Sequence, residues 1–226
     1  MEVIRRETID LEYVAALHEA GVPRHAAPER NRSVWHVTDL LYAGRSIIKG
    51  GDEYPERVLR PTGIMSLGRI WETVVDSYLF DYAGRHGGRY TPDVVLDKDG
   101  VSGSLDGVMV FPELAKPLVC ECKLTFTLDD AIPMNHQHQM RAYCHLADTP
   151  LACYITGHIW SDPPMATALL RFIRFSKLDI RETWLSIVNT KRYLEKKGLG
   201  PGSNIEEEDQ HESQGRTSKP ECHSTT

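Results

Sequence analysis

Three charged side chains near the middle of the chain have types and spacing suited to phosphodiester chemistry. Glu121 and Lys123 lie in the apolar segment 119–124, and because the side chains of a strand alternate between its faces, both point the same way. Asp106 precedes Glu121 by 15 residues, which suits two neighbouring antiparallel strands joined by a turn. Two carboxylates in one small site repel each other unless a cation neutralises them. The set therefore predicts an oxygen-liganded Mg²⁺ or Mn²⁺ beside a lysine.

The pair of Glu121 and Lys123 also has an ordinary structural interpretation, because oppositely charged neighbours are common on the face of a strand. Two further patterns weaken that interpretation. Glu72 lies beside the apolar stripe of a strongly periodic helix rather than on its far polar face. Gln139 and Tyr143 are four residues apart on a second predicted helix, so their side chains share one helix face.

The elements that must position these residues can be predicted from periodicity and turn signals. Residues 66–84 have apolar positions at helical spacing, with Ser66 as a cap and Gly84 as a stop. A meander of three strands follows, at Tyr90–Leu96, Val101–Phe111 and Leu118–Phe126. The pattern then predicts a helix ending at residue 146, strands at 152–159 and 168–175, and a final helix over 178–197. This order is typical of an α/β sandwich with a mixed central sheet.

The ordered set resembles the RecB-like, lambda-exonuclease-like branch of the PD-(D/E)XK nuclease superfamily. The motifs that carry the resemblance are G-x-x-x-E at 68–72, an aspartate at 106, E-x-K at 121–123 and Q-x-x-x-Y at 139–143. It covers roughly residues 34–175 and implies a restriction-endonuclease-like core, with a mixed central sheet flanked by helices. The implied function is a deoxyribonuclease that depends on Mg²⁺ or Mn²⁺, an exonuclease in phage DNA processing, recombination or repair.

The resemblance also implies roles for individual residues. Asp106 and Glu121 would be metal ligands, and Lys123 would be the catalytic lysine. Glu72 would be a further ligand, directly or through water, and the main-chain carbonyl of Cys122 would be another.

Gln139 and Tyr143 would brace the site and contact the DNA backbone.

In two respects the sequence departs from the family pattern. Leu105 stands where the superfamily's proline would be, and a literal Pro-Asp pair occurs earlier, which makes Asp93 the alternative to Asp106. The cysteines lack the spacing of the iron–sulfur subgroup, since none precedes Cys120, so we expect no such cluster.

The sequence also allows two other functions, namely a site-specific endonuclease and a non-catalytic DNA-binding or assembly module on the same fold. DNA is the expected partner in each case, and a recombination or replication protein would be a further one. The sequence contains no signature of an oligomeric interface.

Composition and charge suggest three regions: an N-terminal helical extension over 1–33, the nuclease domain over 34–197, and an acidic tail over 198–226. The tail carries −4 of the net charge of −6, so the body is close to neutral. Because the tail has few large apolar residues, we expect it to be disordered. The sequence has neither a signal-peptide pattern nor a run of about 18 apolar residues, and its cysteine usage favours reduced thiols, so we expect a cytoplasmic protein.

Overall fold

The computed structural model describes residues 1–20, 33–50, 62–126, 131–161 and 164–201. These residues form seven strands and five helices. In chain order the elements are β1 (Glu2–Ile9), α1 (Leu11–Glu19), β2 (Trp35–His36), α2 (Val37–Ile48), α3 (Thr62–Arg85), β3 (Arg89–Lys98), β4 (Val101–Val110), β5 (Leu118–Thr125), α4 (Met134–Leu146), β6 (Leu151–Ser161), β7 (Pro164–Arg174) and α5 (Lys177–Lys196).

The described strands make one mixed sheet. Its order is β1-β7-β6-β5-β4-β2, and β3 pairs with β4. β3, β4 and β5 form an antiparallel meander, whereas β5 and β6 run parallel and are joined through α4. Parallel neighbours need such a crossover connection. The crossover places α4 beside the strand that carries Glu121 and Lys123.

Apolar side chains pack on both faces of this sheet. One cluster lies on the face of α3 and includes Leu79, Cys120 and Ile155. The other lies on the face of α2, α4 and α5 and includes Leu40, Met140, Val119 and Ile187. Successive side chains of β5 alternate between the two faces of the sheet: Cys120 and Cys122 pack toward α3, while Val119 packs toward α4.

The elements predicted around the site are confirmed, with bounds that differ by a few residues. Helix α3 begins at Thr62, four residues before the predicted start at Ser66. The N-terminal segment requires a larger correction. The expected helix at its centre is present as α1, capped by the Asp10 side chain, but residues 2–9 form strand β1 on β7 instead of belonging to a purely helical extension.

The apolar pattern of β1 is weak because it is an edge strand and, within it, only Ile9 is buried. Main-chain pairing with β7, which no side-chain pattern reveals, holds it in the sheet. Most of the predicted tail, residues 202–226, lies outside the described residues, and the division into three regions stays a prediction.

The prediction of an α/β fold with a mixed central sheet flanked by helices is confirmed. The order of helix, antiparallel meander, helix and parallel strand is consistent with a restriction-endonuclease-like core. Among the described helices, none is both long and apolar enough to cross a lipid bilayer.

Candidate active site

The two strands that carry the acidic residues separate at the site. Pairing between β4 and β5 ends at Gly107 and Cys120, before it reaches Asp106 and Glu121. Beyond that point the Asp106 carboxylate accepts a hydrogen bond from the N–H of Cys122, with 2.6 Å between Oδ2 and N. Beyond the last main-chain pair, a hydrogen bond to the Asp106 side chain therefore links the two strands. The functional side chains meet at this point, where the strands diverge.

Strands β3 and β4 change face at the same position. Asp93 adopts a left-handed main-chain conformation with φ 51°, and the register of the two strands skips Asp93 and Asp106 while keeping the pairs on both sides. Tyr90 belongs to the cluster on the α3 face, yet Val94, four residues later, packs against the opposite cluster. Regular alternation would keep both on one face, so the two-stranded ribbon turns over here. Left-handed non-glycine residues are unfavourable and concentrate at functional sites.

Lys123 connects the two carboxylates. Its ammonium group forms an ion pair with Oε1 of Glu121 and lies 3.9 Å from Oδ2 of Asp106. The Glu121 side chain is completely buried, whereas those of Asp106 and Lys123 are 22% and 25% exposed. The structure therefore brings these three predicted residues together where β4 and β5 separate within the sheet, while their catalytic roles stay a prediction.

Burial and charge set the protonation states of this group. Burial raises the pKa of Glu121 well above its usual value, and Lys123 opposes that shift. Burial alone would lower the pKa of Lys123, but the carboxylates of Glu121 and Asp106 raise it well above its usual value, so the ammonium keeps its charge at neutral pH. Oε2 of Glu121 is buried and accepts no hydrogen bond from any of the described residues. An ionised oxygen in that position is unfavourable unless a cation binds it.

Glu72 reaches the site from helix α3, on the opposite face of the sheet. Burial raises its pKa to about 7, the Asp106 carboxylate adds to the shift, and Lys123 opposes it. Smaller contributions in the raising direction come from Asp76 and Asp93. These charge interactions place Glu72 near Asp106, whereas Asp93, the alternative aspartate, affects Glu72 more weakly.

Gln139 and Tyr143 form a bonded pair on α4. The Gln139 side-chain amide donates to the Tyr143 hydroxyl at 3.0 Å. The Tyr143 ring is buried against Gly103 of β4, where a Cβ atom would lie 3.1 Å from ring carbon Cε1. Burial and the charges of Glu121 and Asp106 raise the pKa of Tyr143, so its hydroxyl stays neutral. The two side chains share one helix face, as their spacing predicts, and the charges of Glu121 and Asp106 act on Tyr143.

The donor set fits a cation that keeps part of its water shell. Within residues 1–201, apart from the ranges that are not described, no three His, Cys, Asp or Glu side chains converge into a ready-made cage. Mg²⁺ does not need one, because it is usually held by one or two carboxylates and completes its octahedron with water and substrate phosphates. Asp106 and the unsatisfied Oε2 of Glu121 meet that requirement. The carbonyl of Cys122 as a ligand stays a prediction.

Two residues that the sequence patterns did not single out lie against this site. The Tyr90 hydroxyl donates to Oδ1 of Asp76 at 2.6 Å and lies 3.2 Å from the main-chain oxygen of Asp106. Asp76 follows Glu72 by one helical turn, and that spacing could have indicated a second acidic residue on the same helix face. Tyr90 had no comparable signal, since a tyrosine at the start of a strand is typical of any packed sheet.

A neutral imidazole lies on the α4 side of the site. Nδ1 of His136 is 2.7 Å from the hydroxyl of Tyr154, which is next to Glu121 in the parallel register of β5 and β6. Burial lowers the pKa of His136 to about 4, and the positive charge of Lys123 contributes to the shift. An uncharged imidazole therefore lies on the α4 side of the site at neutral pH.

No protein-family model and no curated protein matches the chain. Among solved structures, the crystal structure of SSO0001 is similar at 18% identity and a TM-score of 0.41, over 79% of this chain and 85% of that one. An alkaline exonuclease, LHK-Exo from Laribacter hongkongensis, is similar at 13% identity and a TM-score of 0.46, over 91% of this chain and 99% of that one. Similarity at this level assigns no role to a residue of this chain, so its own side-chain geometry must carry any functional proposal.

Proposed function

We propose that the chain is a deoxyribonuclease that hydrolyses phosphodiester bonds with the help of Mg²⁺ or Mn²⁺. The observation that carries this proposal is the position of the Lys123 ammonium, ion-paired to the buried Glu121 and 3.9 Å from Asp106. A lysine between two carboxylates where two strands separate is suited to a reaction that needs both a hard cation and a fixed positive charge.

Each residue of the site has a defined task in such a reaction. Asp106 and Glu121 would hold the cation, and Glu72 would act as a further ligand directly or through water. When bound, the cation would polarise the scissile phosphate and lower the pKa of a coordinated water. Lys123 keeps its proton, so it is able to orient the attacking water and neutralise charge that develops on the phosphate oxygens.

On helix α4 the half-buried Gln139 suits contact with the DNA backbone, and the buried Tyr143 braces it. Tyr143 keeps a neutral hydroxyl that accepts from Gln139, which fixes both side chains without adding charge. Neutral hydrogen-bonding groups of this kind position a nucleic acid through its phosphates without reading sequence. This arrangement favours an enzyme that acts on many sequences, and we propose exonucleolytic digestion from DNA ends, in recombination, repair or phage DNA processing.

The test is cleavage of linear end-labelled DNA and closed circular DNA in Mg²⁺, in Mn²⁺ and in chelator. The informative variants are Asp106→Ala and Lys123→Ala. Lys116→Ala is the matched control, because Lys116 also forms an ion pair, with Asp148, but on the exposed surface. We expect both site variants to lose activity by about 1,000-fold or more while the control retains it.

The pattern of products separates the alternatives. Release of label from linear DNA with intact circles supports an exonuclease, and cutting of closed circles supports an endonuclease. DNA binding without metal-dependent turnover would instead indicate a non-catalytic module. If Asp106→Ala and Lys123→Ala both cleave as fast as the wild type, the proposed function is wrong.

A further inference from the structure

Asp106 lies outside the regular main-chain pairing of its own strand. The β3 register skips it, and the β5 pairing ends one residue away at Gly107. Its carboxylate is held by the N–H of Cys122 at 2.6 Å. Its carbonyl oxygen faces the hydroxyl of Tyr90 at 3.2 Å. The main chain from which the carboxylate projects is therefore oriented by a side chain from the neighbouring strand.

Tyr90 is itself rigidly placed. It is 3% exposed, and its ring meets Phe80 edge-on with 5.1 Å between the ring centroids. Its hydroxyl donates to the carboxylate of Asp76 at 2.6 Å, a short bond of the charge-assisted type, which is stronger than a bond between neutral groups. The hydroxyl is thus fixed between helix α3 and the main chain of Asp106.

Gly107 makes this close approach possible. A Cβ atom at position 107 would lie 2.6 Å from Cζ of the Tyr90 ring, far inside van der Waals contact. Any other residue there would push the ring away from the main chain of β4. The Asp106-Gly107 sequence therefore places a backbone without a side chain directly against the tyrosine hydroxyl.

We propose that Tyr90 and Asp76 are a positioning pair that sets the main chain of Asp106 relative to helix α3. Asp76 and Glu72 are one helical turn apart, so they share a face of that helix. The single hydroxyl proton of Tyr90 is shared between Oδ1 of Asp76 at 2.6 Å and, more weakly, the main-chain oxygen of Asp106 at 3.2 Å. The tyrosine thereby sets the separation between Glu72 and Asp106, two of the proposed cation ligands. This inference rests on the proposed function, and it assigns Tyr90 and Asp76 no contact with substrate or cation.

The test compares Tyr90→Phe with Tyr82→Phe. Tyr82 is the matched control, because it is 4% exposed and its hydroxyl donates to a carboxylate, that of Glu7, at 3.0 Å, away from the site. The measurements are Mn²⁺ affinity by calorimetry and cleavage rate as a function of Mg²⁺ concentration. We expect Tyr90→Phe to bind Mn²⁺ about 10-fold more weakly, with a lower kcat and a KM for DNA within about threefold of wild type. Tyr82→Phe should match the wild type in both measurements.

A second comparison keeps the proposal testable if Tyr90→Phe does not fold. Asp76→Asn retains an oxygen acceptor for the Tyr90 hydroxyl, whereas Asp76→Ala removes it. A positioning role predicts Mn²⁺ affinity near wild type for Asp76→Asn and about 10-fold weaker for Asp76→Ala. An equal loss of Mn²⁺ affinity in Asp76→Asn and Asp76→Ala would overturn the proposal, as would wild-type Mn²⁺ affinity in Tyr90→Phe.

The two proposals fail in different ways. If wild type binds Mn²⁺ at this site but cleaves no DNA, the proposed function fails and the positioning pair is judged on Mn²⁺ affinity alone. If wild type cleaves DNA and Tyr90→Phe has unchanged metal dependence, the positioning pair fails and the function stands. Absence of both Mn²⁺ binding and cleavage in the wild type overturns both.

Discussion

Replacing Glu72 with glutamine should change the pH dependence of stability in metal-free buffer. Burial and the Asp106 carboxylate raise the pKa of Glu72 from 4.5 to about 7 in the folded protein. Between those values the folded chain holds a proton that the unfolded chain has lost. The stability that this proton contributes is fully present below pH 4.5 and is lost as the pH rises through about 7. Glu72→Gln removes that titration and keeps the size of the side chain.

The magnitude follows from the size of the shift. One pKa unit corresponds to about 1.4 kcal/mol, so the shift of Glu72 has an upper limit of about 3 kcal/mol. Glu72 is half-buried, and solvent screening reduces the effect to about 1 to 3 kcal/mol. Relative to the wild type, Glu72→Gln should therefore gain about 1 to 3 kcal/mol of unfolding free energy between pH 5 and pH 8.

The assay is urea unfolding at pH 5 and pH 8 in chelator, followed by tryptophan fluorescence, since Trp35 and Trp184 are buried in the folded state. Comparing differences between variant and wild type cancels the titration of groups that are distant from Glu72. Glu182→Gln, a substitution at an exposed position of α5, is the control. Its unfolding free energy relative to the wild type should change by less than about 0.5 kcal/mol between pH 5 and pH 8. Parallel stability profiles for Glu72→Gln and wild type from pH 5 to pH 8 would refute the reasoning.

Three other expectations follow from the same geometry. Mg²⁺ should raise the Tm of the wild type more at pH 8 than at pH 6, because ligands bind in their ionised form, and it should leave Asp106→Ala unchanged in a thermal melt. Gly107→Ala should lower the free energy of unfolding by about 1 to 3 kcal/mol in urea titrations, because its Cβ collides with Tyr90. Tyr143→Phe removes the acceptor for Gln139 and should slow cleavage of end-labelled DNA by about 10-fold, with a Tm within a few degrees of wild type.

Strand alternation and sequence spacing were sufficient to predict part of the site. Glu121 and Lys123 share a face because they are two apart on a regular strand, and they form an ion pair. The 15-residue separation correctly placed Asp106 on the neighbouring strand, near Lys123. Regular periodicity does not, however, predict the turnover of β3 and β4 at Asp93, which depends on one left-handed residue.

Contacts between distant segments were not predictable from these patterns. The bond between Asp76 and Tyr90 depends on how α3 packs on β3, and no spacing rule connects a helix residue to a particular tyrosine on the next strand. Gly107 illustrates the same difficulty, because a glycine beside an aspartate is equally typical of turns and bulges. Strand β1 escaped prediction because an exposed edge strand has little apolar alternation to detect.

The acidic groups of the site oppose folding because their negative charges repel one another, and the same repulsion favours the binding of a cation. The charges of Asp76, Asp93 and Asp106 all raise the pKa of Glu72, and those of Asp106 and Glu72 raise the pKa of the fully buried Glu121. Packing of α3 and the separated strands holds these groups together against their repulsion, and the ammonium of the site offsets only part of it. Neutralising Glu72 by substitution should therefore stabilise the metal-free protein at pH 8 while weakening its affinity for Mg²⁺. A site that served only to hold the sheet together would show the opposite: losing a carboxylate would destabilise the protein, and Mg²⁺ would have no effect on the difference.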